Sequence, residues 1–264
     1  MRKHYLKIAM IVLVFFAAGT FLSEAAFVYL DAAGRSDALG GSGVAGLGSN
    51  MKNPANIHRG EKFSLSFSHT DLYNLDLPTE IIELKAEAFK LPMALTINRL
   101  TDGAGLYSER AYTLTVGKRF QRFATGINIK RLSLEAEANG QGWAFDLGSN
   151  YDFNHNTTVG IAVRDLFSAI TYDTGREEIA KTDLLLGFVH QRANFLYTAE
   201  IGNNNGLKLG LEKSFSPNLM MRVGYTQQQV TAGLGLKKGN LTFDYAYVPH
   251  ALGNAHRLYL KLGL

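Results

Sequence analysis

The sequence predicts an all-β fold, a transmembrane antiparallel β-barrel of about fourteen strands, on three observations. Apolar residues alternate with polar or small residues along many short segments. Charged residues lie in the middle of these segments, opposite the apolar positions. Long and short links between the segments largely alternate along the chain. A closed barrel of such strands satisfies every backbone group between neighbours and leaves no free edge in the membrane.

The last segment has the clearest alternation. Leu258, Leu260, Leu262 and Leu264 alternate with polar or small residues. Because successive side chains of a strand point to opposite faces, one face of this strand is a row of leucines. We expect this strand to close the barrel by pairing with the strand near Phe63.

Thirteen upstream segments have the same character, and many are near the roughly 9 to 11 residues that a tilted membrane strand requires. A soluble β-sandwich also alternates, but its charges concentrate in turns and on the surface. Charges in mid-strand instead favour a polar lumen with the apolar face toward lipid. The predicted segments are approximately 62–69, 81–90, 92–99, 109–119, 122–132, 142–151, 157–165, 183–191, 194–201, 206–214, 218–226, 229–237, 240–248 and 255–264.

The mid-strand charges are the candidate functional residues. They carry both signs, so they are able to pair across neighbouring strands. Two interpretations stay open: a pairing network that fills and stiffens a narrow barrel, or a polar path or seat for a plug. The predicted lumen-lining residues are Glu83, Lys85, Glu87, Asp146, Arg164, Asp183, Glu200, Lys208, Glu212, Arg222, Asp244, Arg257 and Lys261.

The first 25 residues predict a secretory signal peptide. Arg2, Lys3 and Lys7 precede the apolar stretch Ile8–Leu22, and Ser23–Ala25 is a small-x-small cleavage site. A retained membrane helix is the alternative, but the apolar stretch is short for one. Export and a barrel together predict the outer membrane of a Gram-negative-type bacterium, with outer-membrane lipid as the expected partner.

Composition argues against several other functions. Without the predicted leader, which holds three of the 27 basic and one of the 23 acidic residues, the formal net charge is +2, so no nucleic-acid partner is expected. The chain has no cysteine, and its seven histidines are scattered without the spacing of a metal site. No serine lies in a nucleophile-elbow pattern. We therefore expect a non-enzymatic protein with no catalytic residue, cofactor or metal.

Two patches of sequence resemble a known family. The segment Asp31–Gly41, followed by Asn53–Ala55, is similar to the start of PorV/PorQ proteins. Asp244–Tyr247, Leu252–Gly253 and His256–Leu258 resemble the end of the same proteins. The PorV/PorQ family is in turn similar to FadL-type fatty-acid transporters, whose fourteen-stranded barrel holds an N-terminal hatch with an Asn-Pro-Ala motif.

The resemblance implies a division of the mature chain. Residues 26–60 correspond to the N-terminal hatch, with Asn53, Pro54 and Ala55 as its motif. Residues 61–264 correspond to the outer-membrane barrel.

The chain departs from the family pattern in two respects. Asn56 stands where a glycine is expected after the motif, so the resemblance does not extend to the local geometry of the hatch at this position. The links are modest in length, so the resemblance does not extend to a large extracellular surface for partners.

The resemblance implies two functions. PorV-like members support type IX protein secretion, so the implied partners are secretion-machine subunits or cargo. FadL-like members are passive transporters, which let a hydrophobic ligand enter from outside through the hatch-gated barrel and leave sideways. A PorV/PorQ-like barrel that supports secretion is the first hypothesis, FadL-like transport of hydrophobic solutes is the alternative, and a barrel without transport is a third.

Overall fold

The computed structural model describes residues 26–27, 34–73, 75–226, 229–250 and 252–264. The predicted signal peptide, residues 1–25, and residues 28–33 of the predicted hatch lie outside the described residues. Across the described residues, no helix has both the length and the apolar character needed to cross a membrane.

The described part of the chain forms one large antiparallel sheet after two short helical segments. The helical segments are α1 (Gly34–Ala38) and a 3₁₀ helix (Pro54–His58). The strands are β1 (Ser64–Asp71), β2 (Pro78–Ala88), β3 (Leu91–Thr101), β4 (Ser108–Phe120), β5 (Phe123–Glu135), β6 (Gly140–Asn154), β7 (Thr157–Tyr172), β8 (Glu177–Ile179), β9 (Asp183–Arg192), β10 (Phe195–Gly202), β11 (Gly206–Ser216), β12 (Leu219–Thr226), β13 (Gln229–Lys238), β14 (Leu241–Val248) and β15 (Ala255–Gly263).

The sheet closes into a barrel of fourteen strands. Each barrel strand pairs antiparallel with its sequence neighbour, and β7 pairs directly with β9 because the short β8 extends only the outer part of β7. The seam joins β1 to β15, with Ser64 opposite Gly263 and Phe67 opposite Leu260. The predicted strand number and the predicted seam are confirmed.

The two faces of the wall differ as the alternation requires. On β15, Leu258, Leu260 and Leu262 face outward and are 40 to 43% exposed. On β1, which pairs with it, Ser64 and Ser66 face inward and are buried. An exposed apolar band around a closed sheet is stable against lipid hydrocarbon rather than water, so the barrel is of the outer-membrane type.

The two ends of the barrel differ in their connections. At one end, which we call the turn end, neighbouring strands are joined by two-residue turns such as Phe89–Lys90. Both residues of that turn have positive φ, 55° and 63°, as hairpin turns of two residues require. Most links at the other end, the loop end, are longer. Because outer-membrane barrels have short periplasmic turns, the turn end faces the periplasm.

Strand β7 is longer and less regular than the sequence predicts. The predicted segments 157–165 and 183–191 leave residues 166–182 as one long link, and this prediction is wrong, since β7 continues to Tyr172 and β8 pairs with it. Asp165 and Phe167 have positive φ, 57° and 52°, and the register with β6 shifts on both sides of Phe145. These β-bulges interrupt the alternation from which strands are predicted.

A charge on the outward face is expected to destabilise the barrel according to its depth. Leu260→Lys, near the middle of β15, should lower the free energy of unfolding by about 2–4 kcal/mol, because its ammonium group would lie in hydrocarbon. The matched control Leu264→Lys, beyond the end of the strand, should cost about 0–1 kcal/mol. Denaturant unfolding in lipid vesicles measures both. Equal losses would contradict the assigned outward band.

Candidate functional site

The interior of the barrel is the candidate site, and much of it is occupied by residues 34–61, which we call the inner segment. Its helix α1 lies against β12, β13 and β14, and its 3₁₀ helix lies against β4, β5 and β6. Most of its residues are buried, although the segment has little regular structure. Its position therefore depends on contacts with the wall.

The closest of these contacts are made at inward-facing glycines. A Cβ atom added to Gly224 would lie 1.9 Å from the amide nitrogen of Gly40, and one added to Gly126 would lie 2.5 Å from the carbonyl carbon of Pro54. Eight glycines of strands β4 to β13 would place a Cβ 1.9 to 3.1 Å from the inner segment, and we call them the glycine belt. They are Gly117, Gly126, Gly148, Gly160, Gly187, Gly210, Gly224 and Gly233.

Asn53, the first residue of the predicted hatch motif, connects the inner segment to the wall. Its side chain is fully buried and accepts a hydrogen bond from the amide of Ala55 at 2.9 Å, which caps the 3₁₀ helix. Its amide nitrogen donates to the carbonyl oxygen of Val44 at 2.8 Å and lies 3.2 Å from the Asn150 amide on β6. Pro54 begins the 3₁₀ helix, where its lack of an N–H costs nothing.

Asn56, which departs from the family pattern, has its own set of partners. Its amide nitrogen lies 3.0 Å from the carbonyl oxygen of Gly43 and 3.2 Å from that of Gly48, and its oxygen lies 2.8 Å from the Asn150 amide. A glycine there would leave these buried groups without those hydrogen bonds. The asparagine therefore holds two parts of the inner segment together.

A chain of alternating charges connects α1 to the wall. Arg35 makes two hydrogen bonds to the Glu212 carboxylate, at 2.8 and 2.9 Å. Arg222 donates to Glu212 at 2.7 Å and to Asp244 at 2.6 Å. The three wall residues were predicted to line the lumen, and the structure brings them together.

Two further wall cations pair with acidic residues of the inner segment. Arg257 lies 2.9 Å from the Asp37 carboxylate, and Lys261 lies 2.6 Å from that of Glu61. These pairs fix the two ends of the segment on the β15 side of the barrel.

Glu200 receives the backbone of the inner segment. Its carboxylate accepts hydrogen bonds from the amides of Gly43 and Val44, at 2.8 and 3.0 Å, and from Lys208 at 3.1 Å. Both wall residues were predicted to line the lumen, and both are buried.

Other predicted residues pair within the wall. Lys130 bridges Asp146 at 2.7 Å and the bulge residue Asp165 at 2.8 Å. Arg164 lies 3.0 Å from the Asp183 carboxylate, where β7 and β9 stop pairing. These contacts stabilise the irregular part of β7.

The three predicted charges of β2 are not brought into one network. Lys85 donates to the carbonyl oxygen of Arg59 at 2.6 Å. Glu83 lines a cavity, and Glu87 lies near the turn end, 3.1 Å from exposed Lys62. The thirteen predicted residues therefore form several separate groups.

The inner segment lies off-centre and leaves a polar cavity of about 290 Å³ on the side away from most of the glycine belt. The cavity lies between the segment and strands β1, β2, β3, β14 and β15. Its wall includes Ser66, Ser68, Glu83, Tyr259 and Lys261. Hydroxyl and charged groups of this kind favour water over an apolar ligand.

An apolar pocket lies at the loop end, and Phe27 fills it. The buried Phe27 side chain packs against a cluster that includes Met51, Leu134 and Ile170. Its amide donates to the buried Glu109 carboxylate at 3.0 Å. Of four buried apolar clusters among the described residues it is the largest, so it matches an apolar molecule in chemistry.

His58 is a titratable group of the inner segment with a strongly shifted pKa. Burial, with the nearby Arg59 and Arg119 guanidinium groups, lowers the pKa of His58 from 6.5 to about 4. No three His, Cys, Asp or Glu side chains among the described residues are grouped so as to hold a metal ion.

A scan of protein-family models and a search of curated proteins gave no match to this chain. Solved structures do match in fold. A TodX deltaS2S3 mutant, described as a monoaromatic hydrocarbon channel, has a TM-score of 0.59 at 12% identity, over 88% of this chain and 97% of that one. The Pseudomonas putida toluene transporter TodX has a TM-score of 0.58 at 11% identity, over 88% and 96%.

A Pseudomonas aeruginosa FadL homologue has a TM-score of 0.54 at 13% identity, over 90% of this chain and 99% of that one. At these identities the likeness establishes the fold, an outer-membrane β-barrel.

A side chain added to the glycine belt is expected to displace the inner segment. Gly224→Ala should destabilise the seated segment by about 1–3 kcal/mol, because its Cβ would overlap the backbone at Gly40. Val223→Ala, which shortens an outward side chain on the same strand, is the control. Ion conductance across planar bilayers should rise only in Gly224→Ala, and equal conductance would contradict the close packing.

The seating of the inner segment should weaken in acid. Because its folded pKa is depressed, His58 contributes stability that is fully present above about pH 6.5 and is lost as the pH falls towards 4. His58→Gln should therefore flatten the decline between these values. Protease accessibility of the segment, measured across this range, tests the expectation, and an unchanged decline in the variant would contradict it.

Proposed function

We propose that this protein is a non-enzymatic, FadL-like passive transporter of hydrophobic solutes across the outer membrane. In this proposal residues 1–25 are a cleaved signal peptide, residues 26–60 are the hatch and residues 61–264 are the barrel. The observation that carries the proposal is the apolar pocket around Phe27, the largest of four buried apolar clusters among the described residues. A hydrophobic molecule would enter from the loop end and take the place of this side chain.

The inner segment supports a hatch role. It occupies the interior through hydrogen bonds and ion pairs, including Asn53 to Val44 and Arg35 to Glu212, that are able to break and reform. Asn53, Pro54 and Ala55 are the proposed hatch motif. The predicted lumen charges are then mainly the seat of this hatch, since most of their contacts are to it or to each other.

We place the lateral exit at the bulged part of β7. There the register with β6 shifts, and pairing with β9 ends at Arg164 opposite Asp183. Ile170 of the apolar pocket lies on the same part of the strand. A solute released from the pocket would thus meet the least regular part of the wall.

The similar structures agree with this choice between the two functions implied by the sequence. Two are described as a hydrocarbon channel and a toluene transporter, and the third as a FadL homologue. The type IX secretion role and membership of the PorV/PorQ family have no support from the comparisons, so we do not propose them. Recovery of secretion-machine subunits or cargo from native membranes, without a bound hydrophobic solute, would overturn our choice.

Toluene binding to the purified full chain tests the pocket. Phe27→Ala should bind toluene about tenfold more tightly, because the solute no longer displaces a buried phenyl ring. Ile170→Asp should abolish binding by placing a charge in the pocket.

Phe167→Ala is the matched control. That phenyl ring is 86% exposed and lies outside the pocket, on the same strand as Ile170. Calorimetric titration in detergent measures all four proteins. Similar affinities for Phe27→Ala and Phe167→Ala, or no binding by the original protein, would contradict the proposal.

A further inference from the structure

We infer that the outer wall at the turn end is a binding surface for anionic phospholipid headgroups. Four cations carry this inference, and we call them the turn-end cations: Lys118, Arg192, Lys213 and Lys238. Each continues an outward, lipid-facing row of its strand, as Lys238 follows Leu234 and Leu236 on β13. Their stems therefore lie along the apolar band and their charges lie at its edge.

Aromatic rings hold two of these cations at that level. The Lys213 ammonium lies 4.8 Å from the ring centroid of Phe215 and 5.4 Å from that of Phe195. The Lys118 ammonium lies 5.1 Å from the centroid of Phe120. Aromatic side chains of barrels gather at the membrane interface, so these contacts place the cations at the depth of lipid headgroups.

The register brings two of the cations and one ring side by side. Arg192 lies directly opposite Phe195, and Phe195 lies directly opposite Lys213 on the next strand. With a strand spacing of about 4.8 Å, the two cations flank the ring roughly 10 Å apart. Two positive charges in one row at the interface suit phosphate groups arranged in a bilayer leaflet.

The protein does not neutralise these four charges. Among the described residues, none of the turn-end cations forms an ion pair with a carboxylate. The carboxylates nearest the turn end already have cations of their own. The pairs are Glu61–Lys261 at 2.6 Å, Glu87–Lys62 at 3.1 Å and Asp152–Arg119 at 2.6 Å.

At the loop end two outward cations have a carboxylate on a neighbouring strand. There Arg110 pairs with Glu135 at 3.1 Å. Arg99 lies directly opposite Glu80 in the register of β2 and β3. Arg131, also at the loop end, instead contacts Gln141 and the Trp143 ring. The turn-end cations have no carboxylate opposite them in any of their strand pairs.

The position of the cations decides between lipid and protein as the partner. They lie on the rows that face hydrocarbon, where an acidic periplasmic protein would have to enter the membrane to reach them. An anionic headgroup is already at that depth, and a cation near an anionic leaflet contributes about a fivefold preference. The partner is therefore a phosphate-bearing anionic lipid of the leaflet that meets the short turns.

Lipid retention tests the inference. The full chain is reconstituted in phosphatidylethanolamine vesicles that contain a minority of phosphatidylglycerol, extracted in mild detergent, and the retained lipids are quantified by mass spectrometry. The original protein should retain phosphatidylglycerol above its proportion in the vesicle. The K118Q/R192Q/K213Q/K238Q variant should lose this enrichment, by about fivefold or more. High salt should weaken the enrichment, since the sites are exposed.

The matched control removes four loop-end cations, in R99Q/R110Q/R131Q/R176Q, and should keep the enrichment. A heat-dependent shift in gel mobility shows that each variant is folded, and K118Q/K213Q serves if the fourfold variant is not. K118R/K213R should retain phosphatidylglycerol as the original does. Retention in proportion to the vesicle composition by the original protein, or an equal loss in the loop-end control, would overturn the inference.

Discussion

The interior of this barrel depends on the direct contact between two backbones, that of the inner segment and that of the wall at the glycine belt. Gly40 approaches Gly224, and Pro54 approaches Gly126, at distances that leave no room for a methyl group. The wall can therefore hold the inner segment without widening. Side-chain hydrogen bonds then satisfy a segment that has almost no secondary structure of its own.

The one-sided placement of the belt explains the chemistry of the rest of the lumen. Strands β4 to β13 supply the glycines, so the segment packs there and leaves the polar cavity on the opposite side. Buried charges are stable only with partners. The segment supplies partners to wall residues such as Glu212 and Glu200, through Arg35 and the Gly43 and Val44 amides.

Most of the wall is predictable from the sequence, because a strand with one face in lipid must alternate apolar and polar residues. This alternation predicted the strand number and the seam. Prediction failed at β7, where the positive φ of Asp165 removes the alternation. It also missed that small inward residues such as Gly224 allow the inner segment to approach the wall closely. The alternation identifies these residues only as positions without an apolar side chain. Their partner Gly40 is distant in sequence, and no local pattern reveals such a contact.

The closure of the wall by β1 and β15 also constrains the order of folding. The inner segment precedes β1 in the chain, yet its seats lie on strands that extend to β13. The inner segment is thus synthesised before the strands that hold it, and reaches its final partners only after they have been made. Contacts of such large sequence separation form slowly. The barrel must therefore take up the inner segment while it still has an open seam.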